Sequence, residues 1–209
     1  MASPIEPEWL LWARELQSLA QTGLTFAATD YDRQRYTRIL EIAAEITEQY
    51  TKVPFGEIVE VFRLQPGYAT PKIDIRGAIV RDGKILLVRE RVDGRWCMPG
   101  GWVDVGESPS EAVTREVREE SGFLTVARKV VGVYDANRSG TPLEFFHAFK
   151  VVFLCEITGG EATPSDETTE VAFFDPASLP ELSENRTGPR HIEEAFRHVS
   201  DPSRLPAFD

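Results

Sequence analysis

Cysteine is scarce in this chain: Cys97 and Cys155 are the only two among 209 residues. Neither belongs to a spacing that holds zinc, and two cannot make a disulfide framework, so both are expected as reduced, buried thiols. Long apolar runs are missing as well. No stretch approaches the ~18 residues of a membrane span. The first residues carry Glu6 and Glu8 instead of a basic start and an apolar run, so no secretory leader is expected and a cytoplasmic location is. Positive charge is in deficit, with 23 Lys and Arg against 34 Asp and Glu and a net charge of −11. An extended nucleic-acid surface or an anionic-membrane surface needs the opposite sign, which leaves room only for a local basic pocket. There is no internal repeat and no low-complexity tract. What is present suffices for a globular core, with 42% hydrophobic residues. The length fits one core domain plus a smaller piece.

The smaller piece comes first. Residues 3 to 64 read as helical. Trp9, Trp12, Ala13, Leu16, Leu19 and Ala20 fall on a helical period that Gly23 is expected to end. Asp30 or Asp32 would cap a second helix carrying Tyr36, Ile39, Leu40, Ala43, Ile46 and Tyr50. Pro54 to Leu64 suggests a short third. Between Met1 and Phe62 there are ten acidic and five basic residues, which argues against a DNA-binding helical domain. The apolar stripe serves as an internal core, or as a dimer contact or a wall of a substrate pocket, because three helices alone bury little. Domains at 1–65 and 66–209 follow, joined by the turn-rich Gln65 to Pro71.

Beyond that linker the pattern turns to strands. Lys72 to Arg81 and Lys84 to Arg91 flank Asp82-Gly83, a hairpin signal. Leu124 to Tyr134, Phe145 to Ile157 and Val171 to Phe174 read as further strands, with a turn at Thr158 to Glu161. Thr187-Gly188-Pro189 precedes a last helix reaching about Val199. Strands, helix, strands, helix in this order predict an α/β fold with a mixed sheet between helices.

The most informative segment is Gly101 to Phe123. Glu116, Glu119 and Glu120 stand at i, i+3 and i+4, which places three carboxylates on one helix face. Like charges so placed repel and weaken the helix. A hard divalent cation such as Mg²⁺ reverses that cost and is at home beside phosphates. The surroundings agree. Ser108-Pro109-Ser110-Glu111 is a capping box with proline at the first helical position. Gly122 is a helix stop. Val113 and Val117 offer an apolar stripe for a sheet. Ala112 leaves room above the carboxylates. Arg115 lies one turn before Glu119 and is placed to orient it. Met98-Pro99-Gly100-Gly101 is a loop where bare backbone can approach a ligand, and Glu107 is expected to tie it down. A solvated acidic helix face explains three clustered glutamates, but not loop, cap, carboxylates and stop together.

This segment resembles the Nudix box at every fixed position: Gly101, Glu107, then Arg115-Glu116-Val117, Glu119-Glu120 and Gly122, with Phe123 where an aliphatic residue is more usual. Leu10 to Tyr36, Tyr68 to Gly77 and Glu167 to Phe174 extend the resemblance to the Nudix branch with a helical N-terminal extension, which includes CDP-choline and ADP-ribose pyrophosphatases. The resemblance implies a Nudix α/β/α sandwich preceded by a small all-α domain. It implies a pyrophosphohydrolase that cleaves a nucleoside diphosphate linked to another moiety into a nucleoside monophosphate and a phosphorylated product. Mg²⁺ or Mn²⁺ is the expected cofactor. The metal site is expected on Glu116, Glu119, Glu120 and, by the family's use of a loop carbonyl, Gly100. The family draws its general base from a box glutamate or a loop glutamate. Here those are Glu116 or Glu120 in the box and Glu167 or Glu170 in the loop before Val171, with Glu167 taken as the loop candidate.

Phosphates need cations, and Arg76, Arg89, Arg91 and Arg138 are the candidates, with Arg95 on a loop. Arg76 stands out because an arginine inside an apolar strand needs an anionic partner, and Asp74 shares its face. Trp96, Trp102, Tyr134, Phe145 and Phe146 are candidates for stacking on a base, each also readable as core, with Trp96 taken for the site. Some ADP-ribose hydrolases of the family carry a proline about sixteen residues past the box. Pro142 falls later here, which shifts the expectation toward CDP-choline-like substrates. Other readings are a nucleotide-sugar sensor that does not cleave, which should show a decayed box, and a hydrolase of other nucleotides or RNA ends. Related hydrolases and the Trp9/Trp12 stripe imply a homodimer.

Overall fold

The computed structural model describes residues 7–139 and 145–209, the side chains of residues 138 and 139 excepted. The chain forms two compact units. One is built on Pro4–Pro71 with Glu144–His147, the other on Lys72–Leu143 and Ala148–Asp209.

The first unit holds three helices, α1 (Glu8–Phe26), α2 (Asp30–Thr51) and α3 (Phe55–Arg63). Helix α1 does not stop at Gly23. A Cβ there would lie 2.3 Å from the ring of Tyr36, so the missing side chain lets α1 and α2 approach closely. The α2 cap is Thr29, whose hydroxyl accepts from the Asp32 N–H, and neither aspartate takes that place. The buried face of α1 is Leu10, Ala13, Gln17 and Ala20. Trp12 and Leu19, expected on the same stripe, are more than half exposed. Trp9 stacks on Tyr50 with ring centres 4.8 Å apart. The linker belongs to this unit through side chains of α1: Gln21 donates to the Gly67 carbonyl, while Thr25 and Thr22 accept from the Gly67 and Ala69 N–H groups. Phe145 and Phe146, expected to open a strand, instead pack on the cluster of Leu40, Ile58 and Phe62.

The second unit holds β1 (Lys72–Arg81), β2 (Lys84–Glu90), β3 (Trp96–Cys97), α4 (Pro109–Ser121), β4 (Phe123–Asp135), β5 (Ala148–Gly160), β6 (Thr168–Phe174), α5 (Pro189–Ser200) and β7 (Ala207–Phe208). Asp82 and Gly83 both have positive φ, 52° and 73°, the geometry of a tight hairpin turn joining β1 to β2. The strand order is β3-β2-β1-β5-β4-β7, with β6 antiparallel on β2. Strand β1 runs parallel to β5, with Asp74 beside Lys150 and Arg76 beside Val152. Strand β5 continues through Gly160, where the sequence suggests a turn from Thr158, because Thr125 and Phe123 pair with Ile157 and Gly160.

The sheet is mixed and has a core on each face. Ile75 and Ile79 of β1 meet Ala112, Val113 and Val117 of α4. Ala78 and Val152 meet Ile192 and Ala195 of α5 on the other side. A Cβ on Gly77 would come within 2.6 Å of Val117, so this glycine sets how closely α4 packs. Ala112 therefore faces the sheet and does not clear space over the carboxylates. Beyond the hairpin end, β2 leaves β1, and the segment around Pro99 to Val103 takes its place. Ile75 donates to Gly101, Gly77 to Pro99, and Val103 to Ile73. The glycine loop thus becomes an edge of β1, directly against α4.

Candidate active site

Helix α4 begins and ends as its sequence dictates. Ser108 and Glu111 form a complete capping box with Pro109 at the start. Gly122 closes the helix at φ 77°, its N–H donating to Arg118. The rotation so fixed turns Glu116 and Glu120 toward the glycine loop and Glu119 outward: their side chains are 14% exposed for Glu116 and 58% for Glu119, and residue Glu120 is 5% exposed. Glu120 accepts the Gly100 N–H at 2.9 Å. A Cβ on Gly101 would lie 3.0 Å from both oxygens of Glu116. At Gly100 (φ 147°) a Cβ would fall 2.0 Å from the Ile75 carbonyl, so no other residue brings the loop backbone this near.

Arg115 is the hub of the cluster. Its Nε and Nη2 hold both oxygens of Glu107 at 2.8 and 2.9 Å. Its Nη1 reaches Glu116 at 2.8 Å and Glu119 at 3.0 Å. Glu107 thus anchors the loop, and Arg115 holds Glu107 below its usual pKa. Arg115 on Glu116, and Arg76 on both inner carboxylates, do not offset the cost of burying them. Burial pushes the Glu120 carboxyl up to about 8. Burial also raises Glu116, against the pull of Arg115. Among the described residues no three His, Cys, Asp or Glu side chains converge as a ready-made metal cage. The donor set nonetheless suits a hard cation. Two desolvated carboxylates, both raised by burial, stand beside backbone that only glycine allows.

The loop of the candidate glutamates meets the C-terminal end of α4. Thr168, fully buried at the start of β6, donates its hydroxyl to the Glu120 carbonyl at 2.8 Å. Glu167 is therefore one residue from a direct tie to the box helix. Its carbonyl accepts the Arg91 N–H, and the Arg91 side chain holds the carbonyls of Ser165 and Asp166. Arg89 pairs with Glu170 at 2.6 Å and donates to Gly94. Both arginines thus contact this loop. Trp96 lies edge-on to Phe174, ring centres 4.7 Å apart. The side chain of Arg138 lies outside those described, and so does Pro142. Arg76 is buried and finds its anion within the same strand, in Asp74 at 2.8 Å.

Several residues at this site do not stand out in the sequence. Lys150 pairs with Asp74 from the neighbouring strand. Glu90, 5% exposed, accepts from the Cys97 thiol at 3.1 Å and faces Arg186 at 3.4 Å. Thr187 accepts the Met98 N–H at 2.9 Å. Strand alternation carries the signal for Glu90, which shares a face with Leu86 and Val88. A lysine flanked by Phe149 and Val151 carries it for Lys150.

Known proteins share both units of this chain. Residues 71–196 match the family model described as the NUDIX domain. Residues 7–62 match that of the UDP-X-like, N-terminal oligomerisation domain. A putative ADP-ribose pyrophosphatase of Bacillus subtilis, YjhB, is 35% identical over 98% of this chain and 99% of its own. The crystal structure of a UDP-X diphosphatase is 33% identical, covers 97% of this chain and 98% of its own, and superimposes with a TM-score of 0.63. An ADP-ribose pyrophosphatase structure from Streptococcus suis is 36% identical over 67% of this chain and all of its own, with a TM-score of 0.62.

Proposed function

We propose, because the chain belongs to the Nudix hydrolase family, that it hydrolyses the phosphoanhydride of a nucleoside diphosphate linked to a second moiety, with a divalent cation as cofactor. The observation that carries this reading is the seating of Glu116 and Glu120 against the Gly100-Gly101 backbone. Glu116, Glu120 and the Gly100 carbonyl would hold the cation, Mg²⁺ or Mn²⁺, with Glu119 at the outer edge. A bound cation supplies charge compensation on the phosphoryl oxygens and eases ionisation of water. Glu167 receives the proton of the attacking water, with Glu116 as the competing base. The water oxygen bonds to phosphorus, the anhydride P–O bond breaks, and the leaving phosphate keeps the electron pair. Arg115 restrains the carboxylates, and Glu107 restrains Arg115.

Relatives named for ADP-ribose and for UDP-linked substrates match nearly the whole chain, which supports those two classes. The displaced proline after the box keeps CDP-choline beside them. The test is product analysis on ADP-ribose, UDP-sugars, CDP-choline and nucleoside triphosphates, each with Mg²⁺ and with Mn²⁺. A nucleoside monophosphate plus a phosphorylated partner is the expected result, and Glu120→Gln should lower turnover about 10²-fold or more. Wild-type rates in that variant would refute the proposed site.

A further inference from the structure

Three charges lie buried together at the start of β1 and β5. Lys150, Asp74 and Arg76 have side chains 2%, 8% and 7% exposed. Asp74 faces both cations, its Oδ1 on Arg76 Nη2 and its Oδ2 on Lys150 Nζ. Burial opposes the charge of Asp74, yet Arg76 and Lys150 together hold its pKa below the usual range. Within the trio one carboxylate faces two cations, and Arg76 also feels the charge of Glu120; burying ions costs several kcal/mol each unless every one is well partnered.

The guanidinium of Arg76 has one side left over, and that side is aimed at the glycine loop. Its Nη1 donates to the Met98 carbonyl at 3.3 Å. The Met98 N–H is held in turn by Thr187. Pro99 accepts from Gly77 and Gly101 from Ile75. The Gly100 N–H goes to Glu120. Among the described residues the Gly100 carbonyl alone in this run of four meets no hydrogen-bond donor. The loop is pinned on both sides of that one free carbonyl.

We propose that Arg76, locked by Asp74 and Lys150, is a positioning residue that acts with Thr187 to fix the Met98–Gly101 loop. It thereby sets the backbone of Gly100 against Glu120 for the divalent cation, and it does not bind a substrate phosphate. This rests on the metal-dependent reading above. An arginine serves better than lysine here because its fork binds Asp74 and the Met98 carbonyl at once.

The test is Mn²⁺ binding to the full chain without substrate, by electron paramagnetic resonance titration, alongside kinetics at saturating Mn²⁺. Arg76→Met should weaken Mn²⁺ binding about tenfold or more, the usual consequence of losing a group that orients a metal's ligands. Its KM at saturating Mn²⁺ should stay within about twofold of wild type, since no substrate contact is lost. Thr187→Val, which removes the second pin and no charge, should weaken Mn²⁺ binding in the same direction, and it decides the matter if Arg76→Met does not fold. Unchanged Mn²⁺ affinity in a folded Arg76→Met, or in Thr187→Val when that stands alone, overturns the positioning role. A raised KM with unchanged Mn²⁺ affinity would return Arg76 to the substrate. Glu120→Gln separates the two readings. If wild type binds Mn²⁺ and Glu120→Gln weakens it while Arg76→Met does not, only the positioning role fails. If wild type binds none, the metal site itself fails and this role with it.

Discussion

Glu120 carries opposing demands. The proposed cation site requires it to be ionised, yet it is buried, and burial raises its pKa from 4.5 to about 8. A carboxyl that grips its proton more tightly when folded leaves the folded state with more bound protons between those two values. Stability is then lost as pH rises through that window. In EDTA, the melting temperature of wild type should fall relative to Glu120→Gln as pH rises from 5 to 8, because glutamine cannot ionise. The measurement is thermal unfolding of both proteins across that range, and a constant difference would mean that Glu120 is not destabilised by burial. Glu167 is tested by rate. Glu167→Gln should lower kcat about 10²–10⁴-fold if it takes the water proton, while leaving Mn²⁺ binding unchanged. A loss under about threefold would pass that role to Glu116, on the same scale of general-base effects.

Elements show where local signals suffice and where they do not. Helix α4 is legible from end to end, because its cap, its first proline, its apolar stripe and its stop are all properties of neighbouring residues. Helix α1 is not. Its apolar residues span an arc wider than one buried face, so the periodicity does not choose between the Leu10-Ala13-Gln17 face and the Trp12-Leu19 face. Gly23 reads as a stop because glycine commonly ends helices, whereas here it makes room for a ring. Gly23→Ala should destabilise the protein by about 1–3 kcal/mol through overpacking against Tyr36. Urea unfolding checks this. A gain of about 1 kcal/mol, as for glycine in an open helix, would show that the two helices have room to spare.

At the scale of the whole molecule, the exposed side of α1 matters most. Leu11, Trp12, Leu19 and Phe26 all show at least 43% of their surface. The N-terminal match to a model described as an oligomerisation domain makes that apolar side the face to test for contact with a second copy. Light scattering at micromolar concentration should report twice the chain mass, and Trp12→Glu should shift the population toward the monomer. A wild-type monomer would remove the homodimer. Among the described residues no helix is long and apolar enough to cross a membrane.

Sequence by itself determined the box helix, the hairpin at Asp82-Gly83 and the three glutamates, because each is encoded within a few residues of chain, while the order of elements pointed to a mixed sheet between helices. Only tertiary structure shows which partners the arginines meet. Arg76 reads as a candidate cation for phosphate that shares a strand face with Asp74, and the sequence leaves open which anion it meets. In the fold that anion is Asp74, two residues away, and Lys150 joins from β5, the parallel neighbour of β1. Arg89 and Arg91 read as candidate cations for phosphate, and in the fold each contacts the loop before β6. Phe145 and Phe146 read as strand and pack with helices. Pairing across the sheet and the choice between two apolar faces depend on partners distant in sequence, and no local spacing records them.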